Sequence, residues 1–130
     1  MRRLALATTL CTCLLAGCGG GDDDEKGSRT QTVPAGKVVR VVAREYSFDP
    51  KNVVITGGGG RVKLTLANKG SLAHNLKVQQ GDRDLGGTPT FQGGRTESGT
   101  VELDPGSYTM ICTVGNHAEL GMTGKLEIER

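Results

Sequence analysis

Residues 103–129 read Leu-Asp-Pro-Gly-Ser-Tyr-Thr-Met-Ile-Cys-Thr-Val-Gly-Asn-His-Ala-Glu-Leu-Gly-Met-Thr-Gly-Lys-Leu-Glu-Ile-Glu. Asp104-Pro105-Gly106 is turn chemistry, because Pro presets one backbone angle and Gly tolerates the left-handed region. A β-prone run, Ser107–Thr113, follows it. Residues 124–129 then alternate Leu126 and Ile128 with Lys125 and Glu127, the period of a half-buried strand. Tyr108 stands four residues after Asp104, a spacing that fits a tyrosine corner. There the phenol hydroxyl bonds back to upstream backbone and locks a crossing between two sheets.

The same pattern recurs upstream. Val38–Arg44 places Val39, Val41 and Ala43 on one face and Val38 and Val42 on the other. Phe48-Asp49-Pro50 turns the chain into Asn52–Thr56, and Gly57–Gly60 is a loop. Arg61–Ala67 alternates strictly, with Val62, Leu64 and Leu66 inward. Asn68-Lys69-Gly70 is a turn, and Leu72–Gln79 is a further expected strand with Leu76 and Val78 inward. Gly81–Gly99 reads as a long polar excursion, and Thr100–Leu103 as a strand. Short alternating strands separated by Gly-rich turns predict an all-β protein, a Greek-key β-sandwich of about seven to eight strands.

Composition agrees. The chain has 130 residues, room for one domain, with 21 Gly and no Trp, so its core must be aliphatic. A formal net charge of +2 implies neither nucleic acid nor an acidic substrate. Met1-Arg2-Arg3 is a basic head and Leu4–Ala16 an apolar segment too short to span a bilayer. It ends in Leu15-Ala16-Gly17-Cys18, which resembles a bacterial lipoprotein signal whose cysteine becomes the lipidated first residue. Residues 1–17 are thus expected to be a signal peptide. Residues 18–36 are expected to be a lipid-anchored linker, since acidic and small polar residues offer little to pack. Residues 37–130 are expected to form the domain. Cys11 and Cys13 fall in the leader and Cys18 at the anchor, leaving Cys112 as the single cysteine of the folded part. A disulfide framework is excluded by count, and an exported unpaired thiol needs a reason such as metal ligation.

Cys112 is followed five positions on by His117, and five beyond that by Met122; His74-Asn75 lies far upstream. Singly, each has an ordinary role: a buried small apolar residue, a loop histidine, a core thioether. Jointly they form a soft donor set. Two imidazoles and a thiolate with a weak axial thioether favour one mononuclear type 1 copper alternating between Cu(II) and Cu(I). Four-residue loops on either side of His117 would return both it and Met122 to the end of the Tyr108 strand. His74 would arrive from a separate strand.

Residues 38–130 resemble the cupredoxins, the family of plastocyanin, azurin, amicyanin and auracyanin. The motifs are Phe48-Asp49-Pro50, Ala73-His74-Asn75 and Tyr108-x₃-Cys112-x₄-His117-x₄-Met122-x-Gly124. The resemblance implies His74, Cys112 and His117 as equatorial ligands and Met122 as the axial one. It also implies that the Asn75 N–H donates to the Cys112 sulfur, and that Asn75, with Thr113, ties the two ligand loops together. The Cys-to-His loop is azurin-like in length and the His-to-Met spacing closer to auracyanin. One cysteine in the domain rules out a binuclear centre with two bridging thiolates.

No general base, nucleophile or open coordination position is apparent, so an enzyme is not expected. The expected role is a monomeric electron carrier meeting redox partner proteins transiently, through an apolar patch of Leu72, Val114, Ala118 and Leu120. It is expected to be exported and held by lipid on Cys18, at the outer face of the cytoplasmic membrane or in the periplasm. The rivals are a copper carrier or metallochaperone, and a copper-binding subunit of a larger oxidase complex.

Overall fold

The computed structural model describes residues 29–130. The leader and Cys18 lie outside the described residues. The described chain is a sandwich of ten strands: β1 (Thr30–Pro34), β2 (Val39–Arg44), β3 (Ser47–Asp49), β4 (Asn52–Thr56), β5 (Gly60–Asn68), β6 (Lys77–Gln80), β7 (Arg83–Gly87), β8 (Thr96–Leu103), β9 (Gly106–Ile111) and β10 (Thr123–Ile128). One sheet runs β1-β4-β10-β9-β6-β7 and the other β3-β2-β5-β8. The all-β Greek-key sandwich expected from the sequence is the observed fold, with short β1, β3 and β7 raising the strand number.

The alternations set which faces meet. Val39, Val41, Ala43, Val62, Leu64 and Leu66 of one sheet pack against Val53, Ile55, Val78, Met110, Leu126 and Ile128 of the other, all buried. Each of the Val, Leu, Ile and Met side chains contributes on the order of 1.5–3 kcal/mol when fully removed from water. The corner forms as expected: the Tyr108 hydroxyl donates to the Asp104 carbonyl at 2.7 Å. At one flank the two sheets nearly touch. A β-carbon at Gly99 of β8 would overlap the Gly87 carbonyl of β7, so only glycine permits this approach.

Three expectations need correction. The linker expected over 18–36 does not extend through Thr30–Pro34, which pairs in parallel with β4 from Thr30↔Asn52 to Pro34↔Thr56. An edge strand needs little apolar content, and here Val33 alone supplies it; Pro34 is tolerated because the strand is peripheral. The strand expected over Leu72–Gln79 begins only at Lys77, because Asn68 redirects the backbone into a loop whose residues are hydrogen-bonded one by one. The excursion expected over Gly81–Gly99 contains β7 and the first half of β8. Its glycines masked the β-pattern, although two of them are what bring these strands together.

The registers also define one pole of the sandwich. Strands β2, β5 and β9 end there, and β6 and β10 begin there, as the pairs Lys77↔Ile111 and Thr123↔Ile111 show. Every loop carrying a candidate ligand hangs from this pole.

Candidate metal centre

Cys112 is the first residue beyond β9. Its N–H donates to the Met122 carbonyl at 3.1 Å, and the Met122 N–H donates to the His117 carbonyl at 3.0 Å. The His117 N–H donates to the Val114 carbonyl at 3.1 Å, so the loop from Cys112 to Met122 is a closed run of turns. Both spacings of four intervening residues therefore return the chain to its start. The Met122 side chain is wholly buried.

His74 comes from the other direction. Its N–H and C=O exchange hydrogen bonds with Phe91, both at 3.1 Å. Asn68 is buried and shapes this loop: its Nδ2 donates to the carbonyls of Leu72 (2.9 Å) and Phe91 (3.2 Å), and its Oδ1 accepts from the Gly70 N–H (3.0 Å). Asn75 then joins the two ligand loops. Its Oδ1 accepts from the Thr113 N–H at 2.9 Å, and its Nδ2 donates to the hydroxyls of Thr113 (2.8 Å) and Thr90 (2.9 Å). With all of these bonds made, the position of His74 relative to Cys112 is fixed by backbone-level contacts.

The result is a triangle of donor atoms. His74 Nδ1 lies 3.2 Å from His117 Nδ1, and Cys112 Sγ lies 3.9 Å and 3.7 Å from them. A point equidistant from all three is about 2.1 Å from each, close to the 2.0–2.3 Å that nitrogen and thiolate donors take to a first-row cation. All three side chains are buried. A soft thiolate with two imidazoles, converging at bonding distance in a water-poor site, fits copper.

The two imidazoles differ in surroundings. His74 is 0 % exposed, whereas His117 is 9 % exposed and is the ligand candidate that reaches the surface. Burial, reinforced by neighbouring His117, holds the His74 imidazole below its ordinary 6.5, with Glu45 pulling the other way. The expected patch residues ring this pole unevenly. Leu72 and Leu120 are 41 % and 49 % exposed, while Val114 and Ala118 are half-buried.

Three residues here escaped the sequence reading. Tyr46, with φ of +61°, places its ring edge-to-face against His117, centroids 5.3 Å apart. Glu45 accepts N–H bonds from Ser71 and Leu72, which hold its carboxyl below the ordinary 4.5, Leu72 being the larger influence. Asn68 was legible only as part of a turn. A strand ending at Arg44 gives no signal that the next two residues reach across to a site formed by loops thirty and seventy positions away.

Known proteins share this chain's family and fold. Residues 32–129 match the family described as copper binding proteins, plastocyanin/azurin family. Among solved structures, auracyanin B is similar at 22 % identity, with a TM-score of 0.64 over 77 % of this chain and 89 % of that one. Auracyanin A, a "blue" copper protein from the green thermophilic photosynthetic bacterium Chloroflexus aurantiacus, is 20 % identical at TM-score 0.60, over 75 % of this chain and 99 % of that one. An azurin from the obligate methylotroph Methylomonas sp. strain J is 15 % identical at TM-score 0.62, over 74 % of this chain and all of that one. No curated protein sequence matches at a significant level.

Proposed function

The chain belongs to the plastocyanin/azurin family of copper-binding proteins, and from that premise we propose that it carries single electrons between redox partners outside the cytoplasm. The observation that carries this reading is the buried triangle of Cys112, His74 and His117, with one imidazole of the three ligands reaching the surface. Bound copper supplies a one-electron couple there. The chain's own part is to keep the donor atoms still. The Asn75 bridge and the Cys112–Met122–His117 backbone bonds hold the ligands in a compromise between what the two oxidation states prefer, so little rearrangement accompanies electron arrival or departure. Met122, wholly buried, would supply a weak thioether donor to the bound ion.

The electron enters and leaves at the edge of His117. Leu72, Leu120 and the half-buried Val114 and Ala118 lie on the ligand loops, Tyr46 packs against His117, and together they would form the docking patch for brief encounters. Complete burial of Cys112 and His74 disfavours a carrier that must surrender its ion to a competing thiol. The leader and Cys18 support export and lipid attachment, placing the domain at the outer face of the cytoplasmic membrane or in the periplasm.

A visible absorption spectrum and a voltammogram of the copper-loaded protein test the proposal. An intense thiolate-to-copper band and a reversible one-electron wave are expected. A colourless Cu(II) complex with no reversible wave overturns it.

A further inference from the structure

His74 Nε2 is, among the described residues, the buried side-chain nitrogen or oxygen left without a hydrogen-bond partner. Its Nδ1 faces the donor triangle. A neutral imidazole that offers Nδ1 as a lone pair must carry its proton on Nε2, so an N–H donor points the other way into a buried site. Glu45 Oε1 lies in that direction, 3.8 Å from Nε2. This is longer than a hydrogen bond but leaves no room for an intervening water.

The carboxylate is held there by a cradle. The N–H groups of Ser71 and Leu72 both donate to Oε1, and a β-carbon at Gly70 would overlap the carboxylate. The loop that delivers His74 is thus wrapped around this one side chain. Glu45 and Tyr46 together back both imidazoles, one behind each.

We propose that Glu45 is a positioning residue of the metal centre: its carboxylate takes the Nε2–H of His74, fixing the tautomer that turns Nδ1 to the copper, and its negative charge biases the bound ion toward Cu(II). The inference rests on the reading of His74 as a copper ligand. A carboxylate behind a ligating histidine orients the ring and makes it a stronger donor, and removing such a partner commonly costs about 10–100-fold in metal affinity.

The test compares the full protein with Glu45→Gln, Glu45→Ala and, as a charge control, Glu127→Gln, near the far end of β10. Glu45→Gln keeps an acceptor oxygen for Ser71 and Leu72 and loses only the charge, so it separates electrostatics from loop structure. It is expected to shift the Cu(II)/Cu(I) equilibrium about tenfold toward Cu(I), a rise of about 59 mV in potential for a one-electron couple. Glu45→Ala is expected to shift at least as far in the same direction, and Glu127→Gln to leave the potential in place. A metal-independent readout is nitrogen NMR of the copper-free protein, in which His74 carries its proton on Nε2 in the parent and becomes a tautomer mixture in Glu45→Ala. A blue parent protein whose potential is the same in both Glu45 variants as in Glu127→Gln overturns this proposal alone, as does a copper-free His74 protonated on Nδ1. A parent that takes up no copper overturns the reading of the site and this proposal with it.

Discussion

At the scale of single residues, the site sorts its side chains by how much each one holds and how much each one tunes. Met122 is a tuning residue: a weak thioether donor stabilises the oxidised ion slightly. Met122→Leu is therefore expected to keep the visible band and raise the potential by about one tenfold step in the redox equilibrium, roughly 59 mV, checked by spectroelectrochemistry. An unchanged potential would remove Met122 from the ligand set. Acid should act on the copper-free protein through His74 and then Glu45. His74 has a folded-state pKa below its ordinary 6.5, so the unfolded chain binds the proton first. Stability is then full above pH 6.5 and falls as pH drops below it, by at most about 1.4 kcal/mol per pH unit for one proton. Glu45, whose folded-state pKa lies below 4.5, adds a second loss as pH falls below that value. A thermal melting series from pH 8 to pH 4 on copper-free protein should stay level down to about pH 6.5 and decline below it, and a flat series down to pH 5 would contradict the His74 assignment.

At the scale of strands and loops, what the sequence made legible was whatever repeats with a period. Strict alternation identified β5 and β10 and their inward residues, and β4 matches its expected bounds residue for residue. Tyr108 with Asp104-Pro105-Gly106 identified the corner. That corner predicts a cost: Tyr108→Phe should lower stability by about 1–2 kcal/mol, since the Asp104 carbonyl loses its donor in a part-buried place. Denaturant titration measures it, and a loss below 0.3 kcal/mol (about the scatter of such measurements) would make the corner ornamental. The ligand set His74, Cys112, His117 was legible because chemistry, not periodicity, marks those residue types. What stayed hidden depends on partners far along the chain. Thr30–Pro34 is a strand only because β4 offers it an edge. The loop before Lys77 departs from a strand only because buried Asn68 binds its carbonyls. Glu45 and Tyr46 meet the histidines only after the sheets close.

At the scale of the whole molecule, one pole gathers the ligand loops and the exposed apolar side chains Tyr46, Leu72 and Leu120. Leu120→Lys should slow electron exchange with a redox partner about tenfold, the equivalent of roughly 1.4 kcal/mol of docking, while leaving colour and potential as they are. Stopped-flow kinetics checks this, and an unchanged rate would move the docking face elsewhere. The register of β1 adds a last consequence. Thr30 pairs with Asn52, which pairs with Lys125, two residues into β10 from the ligand-bearing pole. The polypeptide therefore enters the sandwich beside its redox end, not at the opposite tip. Under the proposed lipid attachment, the tether joins the domain on the side that carries the ligand loops.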